Sequence, residues 1–163
     1  MWVGRWYPGP AAAVREVARE VPVGQLQAST ETIEDGTRVS ETRLLSLHPV
    51  VPVRDMAAAL EFYEGKLGFQ KVFDDAAERG AAISYAGVSR GGLCLHLQTM
   101  APGENPTVPL IRIAVENIEP LYEEYKAKEL IGPGGHLEAK PWGSKDFGVY
   151  DLNNAALVFY EDL

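Results

Sequence analysis

The chain has 163 residues and a mass of 17.8 kDa, and 46% of its residues are hydrophobic, which suits one globular domain with at most an appendage. No run approaches the roughly 18 apolar residues of a membrane span, and residues 1–10 lack a secretory signal's apolar stretch, so we expect a cytoplasmic protein without a membrane partner. The net charge of −8 excludes the basic footprint of sequence-independent nucleic-acid binding. The single cysteine excludes an intrachain disulfide and a cluster of cysteine metal ligands.

Residues 1–46 differ in pattern from the rest of the chain and are predicted to form an N-terminal extension. Apolar residues at helical spacing predict a short helix over 11–20. The pair Asp35-Gly36 suits a tight turn and predicts a hairpin over 25–47. The extension carries no catalytic pattern, and we expect it to pack on the main domain or on a partner chain.

The first of two modules in the main domain is predicted over 47–100. It begins with a strand at 47–53, after which Asp55 caps a helix that ends at Gly68. Three strand-like runs follow, at 71–74, 81–87 and 92–98, with a turn at Arg90-Gly91-Gly92.

The second module is predicted over 108–163 and repeats the same order of elements. A strand at 109–115 precedes a helix capped by Asn117, and strands are predicted at 136–139, 147–151 and 156–160. The two modules align without a gap at an offset of 62 residues, so that Val51 falls on Ile113 and Tyr63 on Tyr125. This repeat predicts two tandem βαβββ modules.

Alternation along the strands separates two faces of the predicted sheet. One face is wholly apolar and should be covered by helices: Val51, Val53, Leu95, Leu97, Ile111, Ile113, Leu157 and Phe159. The other mixes polar with apolar side chains: His48, Val50, Pro52, Cys94, His96, Gln98, Leu110, Arg112, Val158 and Tyr160. We expect the mixed face to line a small-molecule cleft.

Several motifs carry a family resemblance that covers 47–163: the run LHPVVPVRDM at 47–56, Phe62-Tyr63, Leu67-Gly68-Phe69, KPWG at 140–143 and FGVYD at 147–151. They resemble the glyoxalase/bleomycin-resistance/extradiol-dioxygenase superfamily, and most of all its bleomycin-resistance branch. The resemblance implies an α+β fold, with a curled eight-stranded sheet around a cleft that is commonly completed by dimerisation. We therefore expect a homodimer.

The resemblance also indicates where a metal would lie. Metal-dependent members take ligands from the first and last strands of each module, and those positions hold His48 and His96 in the first module but Leu110 and Val158 in the second. Two imidazoles can bind a divalent ion, although three protein ligands are usual for a catalytic metal. Glu161 has the wrong strand parity, and no pattern favours a third ligand from the N-terminal acids, which are Glu20, Glu31, Glu34 and Asp35. The alternative is that His48 and His96 are hydrogen-bonded cleft residues.

Other side chains of the second module are candidates for ligand binding. Arg112 suits a carboxylate or phosphate on a ligand, or an ion pair with an acid such as Glu116. Trp142 and Phe147 suit stacking on a flat ligand, or packing within the protein. Gln98 and Tyr160 complete the predicted binding set by strand parity. Cys94 is expected to be a small buried residue rather than a nucleophile.

Three functions are open at this point. We predict a non-catalytic protein that sequesters a cationic or aromatic small molecule, without a cofactor, in a cleft at a dimer interface, as the resemblance to bleomycin-resistance proteins implies. The alternative is a metal-dependent lyase, isomerase or dioxygenase that uses His48, His96 and a third ligand not identified. A structural or regulatory domain with residues 1–46 as an interaction arm is the third.

Overall fold

The computed structural model describes residues 44–76, 80 and 82–163. The chain divides into two units, Met1–Leu47 and His48–Leu163, and the described residues lie almost wholly in the second. The predicted N-terminal helix, and the predicted hairpin as far as residue 43, lie outside the described residues. No helix in the described ranges is long and apolar enough to cross a membrane.

Two copies of one βαβββ unit make up the described domain, which confirms the predicted fold. The first copy contains β1 (Val50–Val53), α1 (Met56–Glu61), a π-helical turn (Phe62–Lys66), β2 (Gln70–Asp74), β3 (Tyr85–Arg90) and β4 (Leu93–Thr99). The second contains β5 (Leu110–Ala114), α2 (Ile118–Ala127), β6 (Glu138–Lys140), β7 (Ser144–Tyr150) and β8 (Ala156–Asp162). The eight strands form two hydrogen-bonded sheets of four, in the orders β1-β4-β3-β2 and β5-β8-β7-β6.

The two helices begin in different ways. The Asp55 side chain accepts a hydrogen bond from Ala58 N at 3.1 Å, so the predicted cap of α1 is confirmed. Asn117 precedes α2 in a left-handed conformation (φ 57°) and makes no side-chain cap. The carboxylate of Glu161, on β8, accepts from Asn117 N and Ile118 N instead, at 3.0 and 3.3 Å. A negative side chain from a neighbouring strand thus stabilises the positive end of this helix.

The apolar face of the sheets is the core of the domain. All eight residues predicted for this face are at most 9% exposed, and the helices cover them together with Tyr63 and Tyr125. The pairing of the parallel strands confirms the repeat. Val50 lies opposite His96 in the first module, and the residues 62 positions later, Arg112 and Val158, lie opposite each other in the second.

The ungapped repeat is wrong by one residue at β7. Tyr85 pairs with Gln98 in the first module, whereas the corresponding partner of Tyr160 in the second is Asp146 and not Phe147. A shift of one residue moves each side chain of a strand to the other face. The Phe147 ring therefore lies in the core, 1% exposed and stacked on Phe159 at 5.3 Å between centroids. The prediction that this ring stacks on a ligand in the cleft is wrong.

The predicted third strand of the first module begins too early, at 81 rather than at Tyr85. Asp75 is the reason, because its carboxylate accepts hydrogen bonds from Ser84 N, Ser84 Oγ and Tyr85 N at 2.6 to 3.1 Å. These bonds satisfy backbone groups that a longer strand would have used in the sheet. Residues 82–84 therefore lie outside the strand, with Ser84 held by the Asp75 carboxylate.

Two buried tyrosines connect the modules in a reciprocal way. Tyr63, in the first module, donates its hydroxyl hydrogen to Asp151 Oδ2 of the second at 3.2 Å. Tyr125 occupies the equivalent position of the second module and donates to the carbonyl oxygen of Leu67 in the first at 2.9 Å. Burial raises the pKa of both phenols, in the case of Tyr125 to about 12, so both remain donors at neutral pH.

Replacing either tyrosine by phenylalanine should lower the free energy of unfolding by about 1–2 kcal/mol, because a buried hydrogen bond between the two modules is lost. Urea denaturation of Tyr63→Phe and Tyr125→Phe measures the loss. Tyr150→Phe is the matched control, since Tyr150 is 63% exposed. Equal urea midpoints for all three variants would show that the bonds between the modules contribute nothing.

Candidate functional site

The mixed face of the first sheet brings three potential donor side chains together. Because β1 and β4 are parallel with Val50 opposite His96, the residue two before Val50, His48, lies beside Cys94 and His96. One donor atom from each of these three side chains lies within 4.8 Å of the others. The two imidazole rings stack, with centroids 4.9 Å apart and planes 8° from parallel.

His96 is the most constrained member of this group. Its Nδ1 is 2.7 Å from the hydroxyl of Tyr85, and the Phe73 ring meets its ring edge to face at 5.1 Å between centroids. His96 is 8% exposed, and burial, followed by the charge of His48, lowers its pKa to about 4. The imidazole is therefore neutral at physiological pH and can bind a metal or share a hydrogen bond with a ligand.

A glycine makes room for the aromatic wall beside His96. Phe73 lies across from Gly87 on the neighbouring strand, and a Cβ at Gly87 would stand 2.1 Å from Phe73 Cε1. Gly148, the equivalent residue of the second module, would place its Cβ no closer than 3.9 Å to any neighbour. The close approach of ring and backbone thus belongs to the first module alone.

The mixed face of the second sheet carries charges and a second aromatic ring. The Arg112 guanidinium lies 4.6 Å above the centre of the Tyr160 ring and 3.7 Å from Asp146 Oδ2. Lys140 reaches the other carboxylate oxygen of Asp146 at 3.4 Å. Arg112 therefore pairs with Asp146, while Glu116 was the acid suggested by the sequence. The predicted strand began at 147 and left Asp146 out, and it is the observed register of β7, with Asp146 opposite Tyr160, that places this carboxylate on the mixed face.

The other end of this second face is apolar and open. Leu110 and Tyr150 are 66% and 63% exposed, on either side of Ala156. A cavity of about 180 Å³ lies on this face, between Leu110, Tyr150 and Val158. Trp142 is 68% exposed in the turn between β6 and β7, and Gln98 lies half-buried on the first face beside Tyr85.

A larger cavity of about 650 Å³ lies on the helix side of the sheets, away from both mixed faces. Its lining includes Leu93, Ile113 and Phe159 and the ion pair of Arg90 with Glu124, which is 2.7 Å long. Arg90 also donates to the carbonyl oxygen of Leu67 and to the Tyr125 hydroxyl. These polar groups already satisfy one another, and we assign this cavity to the junction of the modules.

The family model described as glyoxalase/bleomycin resistance protein/dioxygenase superfamily matches residues 46–147, more than half of the chain. The chain belongs to this superfamily. A bleomycin resistance protein of Geobacillus stearothermophilus is 26% identical over 137 residues, which cover 74% of this chain and 98% of that protein.

Solved structures of the superfamily have the same fold. The bleomycin resistance determinant encoded on transposon Tn5 is 22% identical, with a TM-score of 0.60 over 72% of this chain and 97% of that one. A bleomycin-binding protein solved in complex with bleomycin is 23% identical, with a TM-score of 0.56 over 72% and 98% of the two chains. The superfamily holds both enzymes and resistance proteins.

Metal-dependent members of the superfamily draw their metal ligands from both modules, and the residues of this chain do not fit that arrangement. The equivalent positions of the second module hold Leu110 and Val158, whose side chains have no donor atom. At these equivalent positions only the first module has donors, and Cys94 accompanies its two histidines there. Strand alternation already placed Cys94 on this face, but the third ligand was left unidentified, with the N-terminal extension or a second chain as its only suggested source.

His96 should titrate at about pH 4, which histidine proton shifts in NMR spectra will show, with His96→Gln losing that transition. Because the pKa of His96 is lower in the folded than in the unfolded chain, protonation of His96 at low pH destabilises the folded state. The free energy of unfolding should be highest above pH 6.5 and fall by up to about 3 kcal/mol as the pH drops through 6.5 to 4. A His96 midpoint near 6.5 would contradict this.

Gly87→Ala should destabilise the domain by about 1–3 kcal/mol and displace the Phe73 ring from His96, because the new methyl group occupies the place of the ring. Gly148→Ala is the control at the equivalent position, where space is available. Urea denaturation gives the stability, and the His96 ring shifts report the displaced Phe73. Equal destabilisation of the two variants would indicate a general cost of alanine on these strands.

Proposed function

We infer that this protein sequesters a small molecule without catalysis, in a cleft that a second copy of the chain completes. The observation that carries this proposal is the unequal composition of the two mixed faces. The first offers imidazoles and aromatic rings, whereas the second offers an apolar end and a charged end. A ligand enclosed between one face of each kind would meet aromatic, apolar and charged groups at once.

The size of the open site supports a cleft shared by two chains. Small-molecule sites usually enclose about 300–1,000 Å³, and the cavity on the second face has about 180 Å³. The apolar end of that face leaves Leu110 and Tyr150 more than 60% exposed. Apolar side chains grouped on a sheet face are typical of an interface. A second copy laying its first face over this one would bury them and enlarge the site.

The chemistry of the faces supports a flat, cationic ligand. Trp142 offers an exposed aromatic plane, and Tyr160 already stacks with one cation, the Arg112 guanidinium. The Asp146 carboxylate is paired with Arg112 and Lys140, so it is not counted toward a cationic ligand. The net charge of −8 would attract a cation over longer distances. Relatives named bleomycin resistance protein, and a similar fold solved with bleomycin bound, make bleomycin the first ligand to test.

The proposal that this protein binds its ligand without turning it over rests on the chemistry of the described side chains. Burial raises the pKa of the Cys94 thiol, which therefore stays protonated and is a poor nucleophile at neutral pH. A metal-dependent enzyme is the second candidate, and the closeness of His48, Cys94 and His96 is the observation that favours it. Turnover of a bound small molecule that requires added metal would replace the binding proposal.

The shared cleft predicts that one substitution removes both the dimer and ligand binding. Leu110→Asp places a charge on the exposed apolar end, so we expect a monomer by sedimentation velocity and a loss of bleomycin affinity of at least about tenfold by calorimetry. Leu152→Asp is the control, because Leu152 is 57% exposed but lies in the turn between β7 and β8.

The outcomes separate the parts of this proposal. Bleomycin binding by a monomeric wild-type protein would contradict the shared cleft and leave the binding function in place. A dimer that binds neither bleomycin nor other cationic aromatic compounds would contradict sequestration of that class of ligand. Equal loss of binding in Leu110→Asp and Leu152→Asp would point to a general effect of the added charge.

A further inference from the structure

We propose that the cavity of about 650 Å³ on the helix side of the sheets is a second binding site, for a neutral and largely apolar small molecule that carries an amide oxygen. The site lies on the opposite side of the sheets from the proposed cleft, so it goes beyond the sequestering function. A comparison of the two modules carries the proposal, because the chain fills the equivalent place in the other module with its own loop.

Each module places the turn of one hairpin against the helix of the other module. The turn between β3 and β4 lies beside α2, where Arg90 donates to the Tyr125 hydroxyl at 3.1 Å. The turn between β7 and β8 lies beside the π-helical turn after α1, where Asp151 accepts from the Tyr63 hydroxyl. Since Tyr63 and Tyr125 are equivalent residues of the repeat, the two turns occupy equivalent places.

The two turns differ in length and in side chains. Gly91 and Gly92 form the whole turn between β3 and β4, with φ of 57° and 83°. Positive φ at both positions is typical of a two-residue hairpin turn, and glycine leaves such a turn without side chains. The other turn is one residue longer, with residues 152–154 between Asp151 and Ala155, which share a backbone hydrogen bond of 3.0 Å. Only the longer turn therefore has side chains that can pack against the opposite module.

The longer turn also shows which chemical group the shorter one lacks. The Asn153 side chain reaches the residue after β1, and its Oδ1 accepts a hydrogen bond from Arg54 N at 3.1 Å. The residue equivalent to Arg54 in the second module is Glu116, which lines the cavity. Within residues 44–76 and 82–163, no side chain takes the place of Asn153 at Glu116 N. A ligand with an amide oxygen would accept from this N–H as Asn153 does from Arg54.

The apolar side chains around the two turns are covered to different extents. Three apolar residues beside the longer turn are at most 2% exposed: Val53, Ala59 and Ala155. Their equivalents beside the shorter turn line the cavity and are only half-buried: Val115, Leu121 and Leu93. Covering these side chains would remove apolar surface from water, so most of the ligand should be apolar. The cavity volume lies within the usual range for small-molecule sites.

The charged groups at the cavity favour a neutral ligand. The Arg90 guanidinium lies 2.7 Å from the Glu124 carboxylate, which also accepts from Lys128 Nζ at 2.8 Å. Arg90 donates in addition to the carbonyl oxygen of Leu67 and to the Tyr125 hydroxyl. An ionic ligand would have to break this network and leave one of its charges unpaired, which is costly in a half-buried place.

Acetanilide is a suitable probe, because it is a neutral amide with an aromatic ring. Its titration into ¹⁵N-labelled protein should shift the NMR amide resonances of Gly91, Gly92 and Glu116 in a saturable way, with a Kd on the order of 1 mM. Benzoate and benzylammonium have a similar size but carry a charge, and we expect them to bind at least about tenfold more weakly.

Two variants should close the cavity from within. Replacing Gly91-Gly92 by Leu-Asn-Asn, the sequence of 152–154, should weaken acetanilide binding by at least about tenfold and raise the urea midpoint, because the longer turn would cover the half-buried apolar side chains. Leu121→Trp fills the same space with a single substitution and should also lose binding. Leu152→Trp, at an exposed position of the other turn, is the matched control and should bind as the wild type does.

Three outcomes would overturn the proposal. The first is the absence of a saturable shift at Gly91, Gly92 and Glu116, and the second is unchanged acetanilide binding in either cavity-filling variant. The third is a shift of these resonances that depends on protein concentration and blocks acetanilide, because a second copy of the chain would then occupy the cavity. The readouts lie on the helix side and involve no bleomycin, so failure here is distinct from failure of the sequestering function.

Discussion

The reciprocal pair of buried tyrosines holds the two modules in the relation on which both mixed faces depend. Each ring lies in the core of its own module while its hydroxyl donates to the other, Tyr63 to Asp151 and Tyr125 to Leu67. Neither bond forms unless both modules are folded and adjacent, so the position of one face relative to the other is set from inside the core. The side chains on the mixed faces can then differ between modules without changing the framework that carries them.

Much of this framework could be predicted from the sequence, because buried residues recur at regular intervals along strands and helices. Alternation along β1, β4, β5 and β8 identified the eight core residues of the sheets, and the repeat gave two βαβββ units. The group that caps α2 could not be predicted, since the capping carboxylate belongs to Glu161, which is distant in sequence. A local pattern of Asn before a helix indicated the position of the cap but not the group that provides it.

The candidate site was only partly predictable, for a similar reason. His48, His96, Arg112 and Tyr160 were identified from parity, but their partners depend on the register of neighbouring strands. Tyr85 and Asp146 contact them across the sheet, and each lies in a strand whose start was predicted incorrectly. The alternation of residues along one strand shows which of its sides is buried. To predict the contacts between strands, the length of every loop must also be known.

The one-residue difference before β7 shows how duplicated halves of a protein can diverge. In the first module β3 places Tyr85 on the mixed face, whereas in the second β7 places Asp146 on the mixed face and Phe147 in the core. Insertion or loss of one residue in that loop exchanges the inward and outward rows of β7 together. A change in length, rather than a series of substitutions, is thus enough to give one half of such a duplication a new set of chemical groups.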